Sequence, residues 1–230
     1  QTAKNKVGAL VRIDEVEDGE ICHCRFCDQE LIQRRGEQRI HHFAHKSSRG
    51  PKGKHTYCID DWSHDETRWH IDWLRRFPKE NIEVVREDET GKHVADVIAE
   101  NIVVEFQSEP ISIDEFRKRN TFFKKQGLKI IWVFDMLDRY KMGSIKKGQF
   151  NNLSWEHPTK LFRSIDSLKD ENVLVYFQLS EDNGGRLVRL TNDRCEIVKL
   201  YPEQNAEVRF MKRGKGIIYA YCNKDGLYKK

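Results

Sequence analysis

The sequence predicts a mixed α/β fold, with a core of order α-β-β-β-α-β lying between a Cys/His-rich module and a β-rich module. Three observations predict it. Between residues 62 and 135, helical and strand periodicities alternate, and each helix carries its own start and stop signals. In residues 1–61, cysteines and histidines crowd where large apolar residues are sparse. In residues 136–230, short alternating or apolar runs are separated by turn residues such as Asp182-Asn183-Gly184-Gly185.

Composition sets the outer limits. The chain has 230 residues, enough for one or two domains of roughly 100–200 residues each. At 38% hydrophobic and 10% aromatic, it is too rich in core-forming residues to be disordered. No run approaches the roughly 18 apolar residues that a membrane helix needs. No basic-then-apolar start reads as a signal peptide, so a cytoplasmic setting with reduced cysteines is expected. The chain opens on Gln1 rather than Met, and its first residues are read as a trimmed start. The 41 basic and 37 acidic residues leave a net charge of only +4, a sum that names no partner.

The first module is short strand, then acidic turn, then a compact Cys/His segment from Cys22 to Cys58. Cys24-x2-Cys27 and His42-x2-His45 supply two thiolates and two imidazoles across a gap of 14 residues. That donor set suits a tetrahedral structural Zn2+. Cys22, His23, His41, His55 and Cys58 are further candidates for the same set. A bound metal would explain how a module with so little apolar content folds.

The first core helix is expected near Ser63, with Glu66 completing a capping box. Trp62, Trp69, Trp73 and Phe77 form its apolar face, and Pro78 stops it. Strands follow at residues 82–86, 93–99 and 102–107. A second helix starts at Ser112 with Glu115 in the capping-box position, carries Ile113, Phe116 and Phe123, and ends at Gly127. Residues 129–134 read as a buried strand. The β-rich module contributes residues 173–179, 186–190, 195–200 and 217–221.

Glu100-Asn101 is suited to a two-residue hairpin turn, because Asn tolerates positive φ. That register sets Asp96 opposite Glu105, and Gln107 shares their face. Opposed side chains have Cβ atoms about 4.5–5.5 Å apart. Two carboxylates at that distance, among Val, Ile and Phe, repel unless a cation lies between them, and Mg2+ is commonly held by one or two carboxylates plus substrate phosphates. A solvated edge hairpin is the plain alternative.

Several residues in this order resemble a known family. They are His42-Phe43-Ala44-His45, Glu66 with Trp69-His70 and Trp73, Asp96, Glu105-Phe106-Gln107-Ser108, Ile111-Ser112, Arg119 and Ile131-Trp132. Together they resemble the competence protein CoiA-like family within the PD-(D/E)xK nuclease superfamily. The resemblance implies a restriction-endonuclease-like core and a Mg2+- or Mn2+-dependent deoxyribonuclease, with Asp96 and Glu105 as metal ligands. Gln107 stands where the superfamily usually has Lys; it would orient water or phosphate without supplying charge. Glu66 would orient a metal water, or serve only as a helix cap. His70 lies on the helix face near the site or is a hydrogen-bonded core residue. Arg119 would clamp a phosphate, or snorkel from the helix face.

Residues 34–54 hold seven basic residues against one acid, Glu37, and residues 209–230 hold seven against one, Asp225. Such patches suit phosphate backbones. Arg34, Arg35, Arg39, Lys52 and Lys54 are the expected nucleic-acid contacts beside Arg119. The expected partner is DNA, single-stranded, double-stranded or branched. A catalytically weak DNA-binding protein in DNA uptake, recombination or defence, and assembly with protein partners or with itself, stay open at this point.

Overall fold

Turn residues cut the start of the chain into short strands that can only bury themselves by pairing. They are β1 (Thr2–Lys4), β2 (Leu10–Arg12), β3 (Cys22–Cys24), β4 (Glu30–Arg34) and β5 (His42–His45), antiparallel in the order β2-β1-β3-β4-β5. Among the described residues the core under this sheet is thin: Ala3, Val11, Ile13, Val16, Cys22, Cys24, Leu31 and Phe43, with Phe26 packed against them. One buried aromatic ring in such a cluster leaves little apolar area to stabilise it. The structure, a computed structural model, describes residues 2–37, 40–45, 67–147, 153–163, 170, 172–180, 187–190, 195–197, 219–222 and 226–229. It divides into two units, Gln1–Glu100 and Asn101–Lys230.

The first unit also contains α1 (Arg68–Leu74) and the antiparallel pair β6 (Ile82–Asp88) and β7 (Gly91–Ala99). α1 begins later than the Ser63 signal indicates. Its cap is Thr67, whose side chain accepts from the His70 N–H at 3.2 Å; Ser63 and Glu66 lie outside the described residues. The two candidate caps offer the same chemistry four residues apart, so sequence alone does not choose between them. Arg12 donates to the Phe77 carbonyl at 2.8 Å, and Lys79 reaches Glu15 at 2.6 Å, tying the N-terminal segment to the end of this helical stretch. Within β6, Glu83 has φ 51. A non-glycine residue there costs about 1–2 kcal/mol.

The second unit opens with a β-α-β step: β8 (Ile102–Gln107), α2 (Ile113–Lys125) and β9 (Lys129–Asp135). The turn before β8 falls at Glu100-Asn101 as expected, but the positive φ of 52 belongs to Glu100. All six residues of β8 are buried, the pattern of a strand covered on both faces. β9 runs parallel to β8, with Glu105 level with Trp132 and Gln107 with Phe134. Ser112 caps α2 by accepting from the Glu115 N–H at 3.1 Å. At the other end Gly127 (φ 75) donates to the Lys124 carbonyl and Leu128 to the Phe123 carbonyl, which is a Schellman cap. Phe116 packs on Trp132 at 4.8 Å, and Asn120 accepts from the Trp132 indole at 2.8 Å.

The remaining elements are α3 (Leu137–Lys141), β10 (Ile145–Lys147), β11 (Leu153–Trp155), α4 (Lys160–Arg163), β12 (Val173–Gln178), β13 (Leu187–Leu190), β14 (Cys195–Ile197), β15 (Tyr219–Cys222) and β16 (Gly226–Lys229). β12 lies past residue 135, where the core was expected to end, yet it pairs in parallel with β9 from Val173↔Ile130 to Gln178↔Asp135. β13 and β14 extend the same sheet, giving the order β14-β13-β12-β9-β8 within this unit. They are therefore a continuation of the α/β sheet rather than a β-sheet of their own, while β15 and β16 form a separate pair. Phe134, Trp155, Phe162 and Phe177 interlock beneath β9 and β12 at centroid distances of 4.8–6.2 Å. Among the described residues no helix is long and apolar enough to cross a membrane.

Candidate functional site

Two sets of side chains carry chemistry. The first is the Cys/His group. Cys24 ends β3, Cys27 follows in the turn, and His45 closes β5, so pairing of β3, β4 and β5 brings the three together. Their ligand atoms lie within 4.8 Å of one another, with Cys27 Sγ 3.2 Å from His45 Nε2. The turn is shaped for a thiolate. The Phe26 N–H points at Cys24 Sγ (3.4 Å), Cys24 N–H donates to the Gln29 carbonyl, and Asp28 N–H donates back to the Cys24 carbonyl from a positive φ of 60. Two soft sulfurs and one imidazole are a donor set that fits Zn2+.

His42, the fourth expected ligand, is not in the group. It sits three residues before His45 on β5, hence on the opposite face, and its Nδ1 lies 2.8 Å from the Ile40 carbonyl. The i, i+3 spacing that serves two ligands on a helix separates them on a strand. Cys22 is also elsewhere: it is 0% exposed in the core, and burial pushes its thiol up. His55 and Cys58 lie outside the described residues.

The second set is carboxylates. In the first unit, β7 alternates, so that His93, Ala95 and Val97 are buried while Asp96 is half-buried. His70 of α1 brings Nε2 to 3.2 Å from Asp96 Oδ1. In the second unit, Glu105 is 1% exposed at the middle of β8. A carboxylate so buried must be paired, and Arg119 of α2 donates to its Oε2 at 3.0 Å. The same guanidinium donates to Glu115, one helical turn back, at 2.5 Å. The one guanidinium thus bridges two carboxylates, one on β8 and one on its own helix. Gln107, also buried, donates from Nε2 to the Glu109 carbonyl at 2.7 Å.

The basic residues sort differently from their reading in the sequence. Arg119 is 4% exposed, its guanidinium facing carboxylates rather than solvent. Arg35 is also committed internally, donating to the Ile13 and Val16 carbonyls and pairing with Asp18 at 2.8 Å. Arg34, at the end of β4, is exposed. Arg39, Lys52, Lys54 and Glu66 lie outside the described residues. Sequence reading placed Glu115 at a capping-box position and missed its pairing with Arg119, for which the i, i+4 spacing was a usable signal. It also missed Thr2, Arg25 and Glu83, which meet in the first unit with no local pattern to announce them.

The family model for the competence protein CoiA nuclease-like domain matches residues 73–181, and the model for the CoiA N-terminal domain matches residues 10–50. The chain belongs to the CoiA-like family. The first match contains Asp96, Glu105, Gln107 and Arg119 and runs through β12; the second contains Cys24, Cys27 and His45; Glu66 and His70 fall between the two. No curated protein and no solved structure matches the chain significantly.

Proposed function

We propose that the protein is a Mg2+- or Mn2+-dependent deoxyribonuclease of the PD-(D/E)xK class. The observation that carries this reading is Glu105: a carboxylate buried at the centre of β8, inside the nuclease-like match, facing an arginine that it shares with Glu115. Glu105 and Asp96 are both hard oxygen donors of the kind Mg2+ takes, and each would be a ligand to it. When bound, the ion lowers the pKa of a coordinated water and offsets charge on the scissile phosphate.

The protein's own residues do the rest. Arg119 keeps Glu105 in place and His70 keeps Asp96 in place. Gln107, anchored through Nε2 on the Glu109 carbonyl, turns its amide oxygen to the attacking water or its remaining N–H to a phosphate oxygen. Glu66 orients a water from the approach to α1. Arg34, Arg39, Lys52 and Lys54 hold the DNA backbone, contacts that position without reading sequence. Cys24, Cys27 and His45 hold a structural Zn2+ that completes the thin N-terminal core.

One observation favours a second reading. Position 107 carries an amide where a Lys would bring charge, and a Gln cannot act as a base at neutral pH. A DNA-binding protein of the same fold that cuts slowly or not at all fits that substitution. The two readings separate in one experiment: purified protein with plasmid, single-stranded and branched DNA in Mg2+ or Mn2+, wild type beside Glu105→Ala. Cleavage by wild type, reduced by about 100-fold or more in the variant, is the expected result. Binding without cleavage by either protein selects the second reading. Equal cleavage by both defeats the assignment of Glu105.

A further inference from the structure

Glu83 is the strained residue of β6, an L residue at φ 51 in a region that glycine normally fills. The register of β6 and β7 runs Ile82↔Val97, then Val84↔Ala95, so Glu83 stands level with Asp96. Opposed residues of an antiparallel pair share a face, with Cβ atoms about 4.5–5.5 Å apart. An extended Glu83 would set a second carboxylate directly beside the one that the proposed Mg2+ site uses.

The carboxylate of Glu83 is drawn into a clasp with the N-terminal sheet. Its Oε2 accepts from the Thr2 N–H at 2.8 Å and from the Thr2 hydroxyl at 2.7 Å. Arg25 closes the clasp. Its Nη1 donates to Thr2 Oγ1 at 2.8 Å and to the Ile82 carbonyl at 2.9 Å, and lies 3.9 Å from Glu83 Oε2. Both charged side chains are only 13% exposed. Backbone strain of this kind persists only where the surroundings over-determine it, and it gathers at functional sites. Arg25 is carried on the turn between Cys24 and Cys27, so an ion held by those two sulfurs fixes the backbone on both sides of it.

We infer that Glu83 is a positioning residue for Asp96, and that Arg25 makes its hold depend on the metal in the Cys/His centre. The inference rests on the reading of Asp96 as a Mg2+ ligand. Metal in the Cys/His centre then favours metal at Asp96, because the clasp holds β6, and with it the paired strand β7 that carries Asp96, in one conformation. Such coupling is reciprocal.

The test uses the full zinc-loaded chain with two readouts. Hydrogen exchange by mass spectrometry follows the β6 and β7 amides in wild type, Arg25→Met, Arg25→Lys and Glu83→Gln. Mn2+ binding, followed by loss of the free-ion EPR signal, is measured on the same proteins and on Asp96→Asn. Arg25→Met and Glu83→Gln are expected to speed exchange in β6 and β7 by about tenfold or more while β9 and β12 stay as protected as in wild type. They are also expected to weaken Mn2+ binding by about fivefold or more, with Arg25→Lys recovering part of both losses. A smaller acceleration in β6 and β7 overturns the inference. So does equal loss of protection in β9 and β12, which would make the clasp a general stabiliser. Wild type that binds no Mn2+, or Asp96→Asn that binds it as tightly, sinks the Mg2+ reading instead, and the exchange data still decide whether Arg25 and Glu83 hold the strand.

Discussion

Arg119 shows how burial changes the meaning of a residue. On an exposed helix it would offer a cation to phosphate; at 4% exposure it answers Glu105 and Glu115. Removing one member of a buried pair strands the other, a loss of about 3–5 kcal/mol, whereas removing both does far less harm. Arg119→Met should therefore lose that amount in urea melts, and Arg119→Met with Glu105→Gln should recover most of it. Equal loss in single and double variants would show that the pair does not set the stability. The Cys/His residues admit an equally local test. His45→Ala should abolish bound zinc by elemental analysis, and His42→Ala should retain it, since among the described histidines it is His45 that joins the two sulfurs. These roles were partly legible beforehand. Residue types and spacing gave the Cys/His donor set and three of the four residues expected in it; they did not give the strand on which His42 faces away, because spacing reads differently on a strand and on a helix.

Elements were legible where their signals are local. α2 begins at Ser112 and ends before Gly127 because a cap hydroxyl and a residue free to adopt positive φ are both needed at fixed offsets. A Cβ at Gly127 would meet nothing within 4 Å, so the backbone alone carries the cost of replacing it. Gly127→Ala should lower stability by about 1 kcal/mol without changing the denaturant dependence, as read from the urea midpoint and slope. α1 was read less well, since Ser63-x-x-Glu66 and Thr67 offer competing starts and only packing decides between them. Glu83 gave no sign at all: nothing in Ile82-Glu83-Val84 hints at a left-handed backbone, and its partners Thr2 and Arg25 are far away in the chain.

At the scale of the whole molecule, the sheet reaches further than the sequence suggested. Antiparallel neighbours joined by short turns are visible as patterns, but a parallel partner arrives after a long connection and leaves no local mark. That is why β12 was assigned to a separate β-rich module although it pairs with β9 along its whole length. Its place has a consequence for the chain as it is made. β9 leaves the ribosome with Ile130, Ile131, Trp132, Val133 and Phe134 in one run, and its outer edge stays open until Val173–Gln178 follows. At about 5–20 residues per second that wait lasts seconds, and a bare apolar edge is a template for any neighbouring strand. A chain cut after Asp135 would keep the edge open permanently and should self-associate. The strand that seemed an appendage is the one that covers this edge.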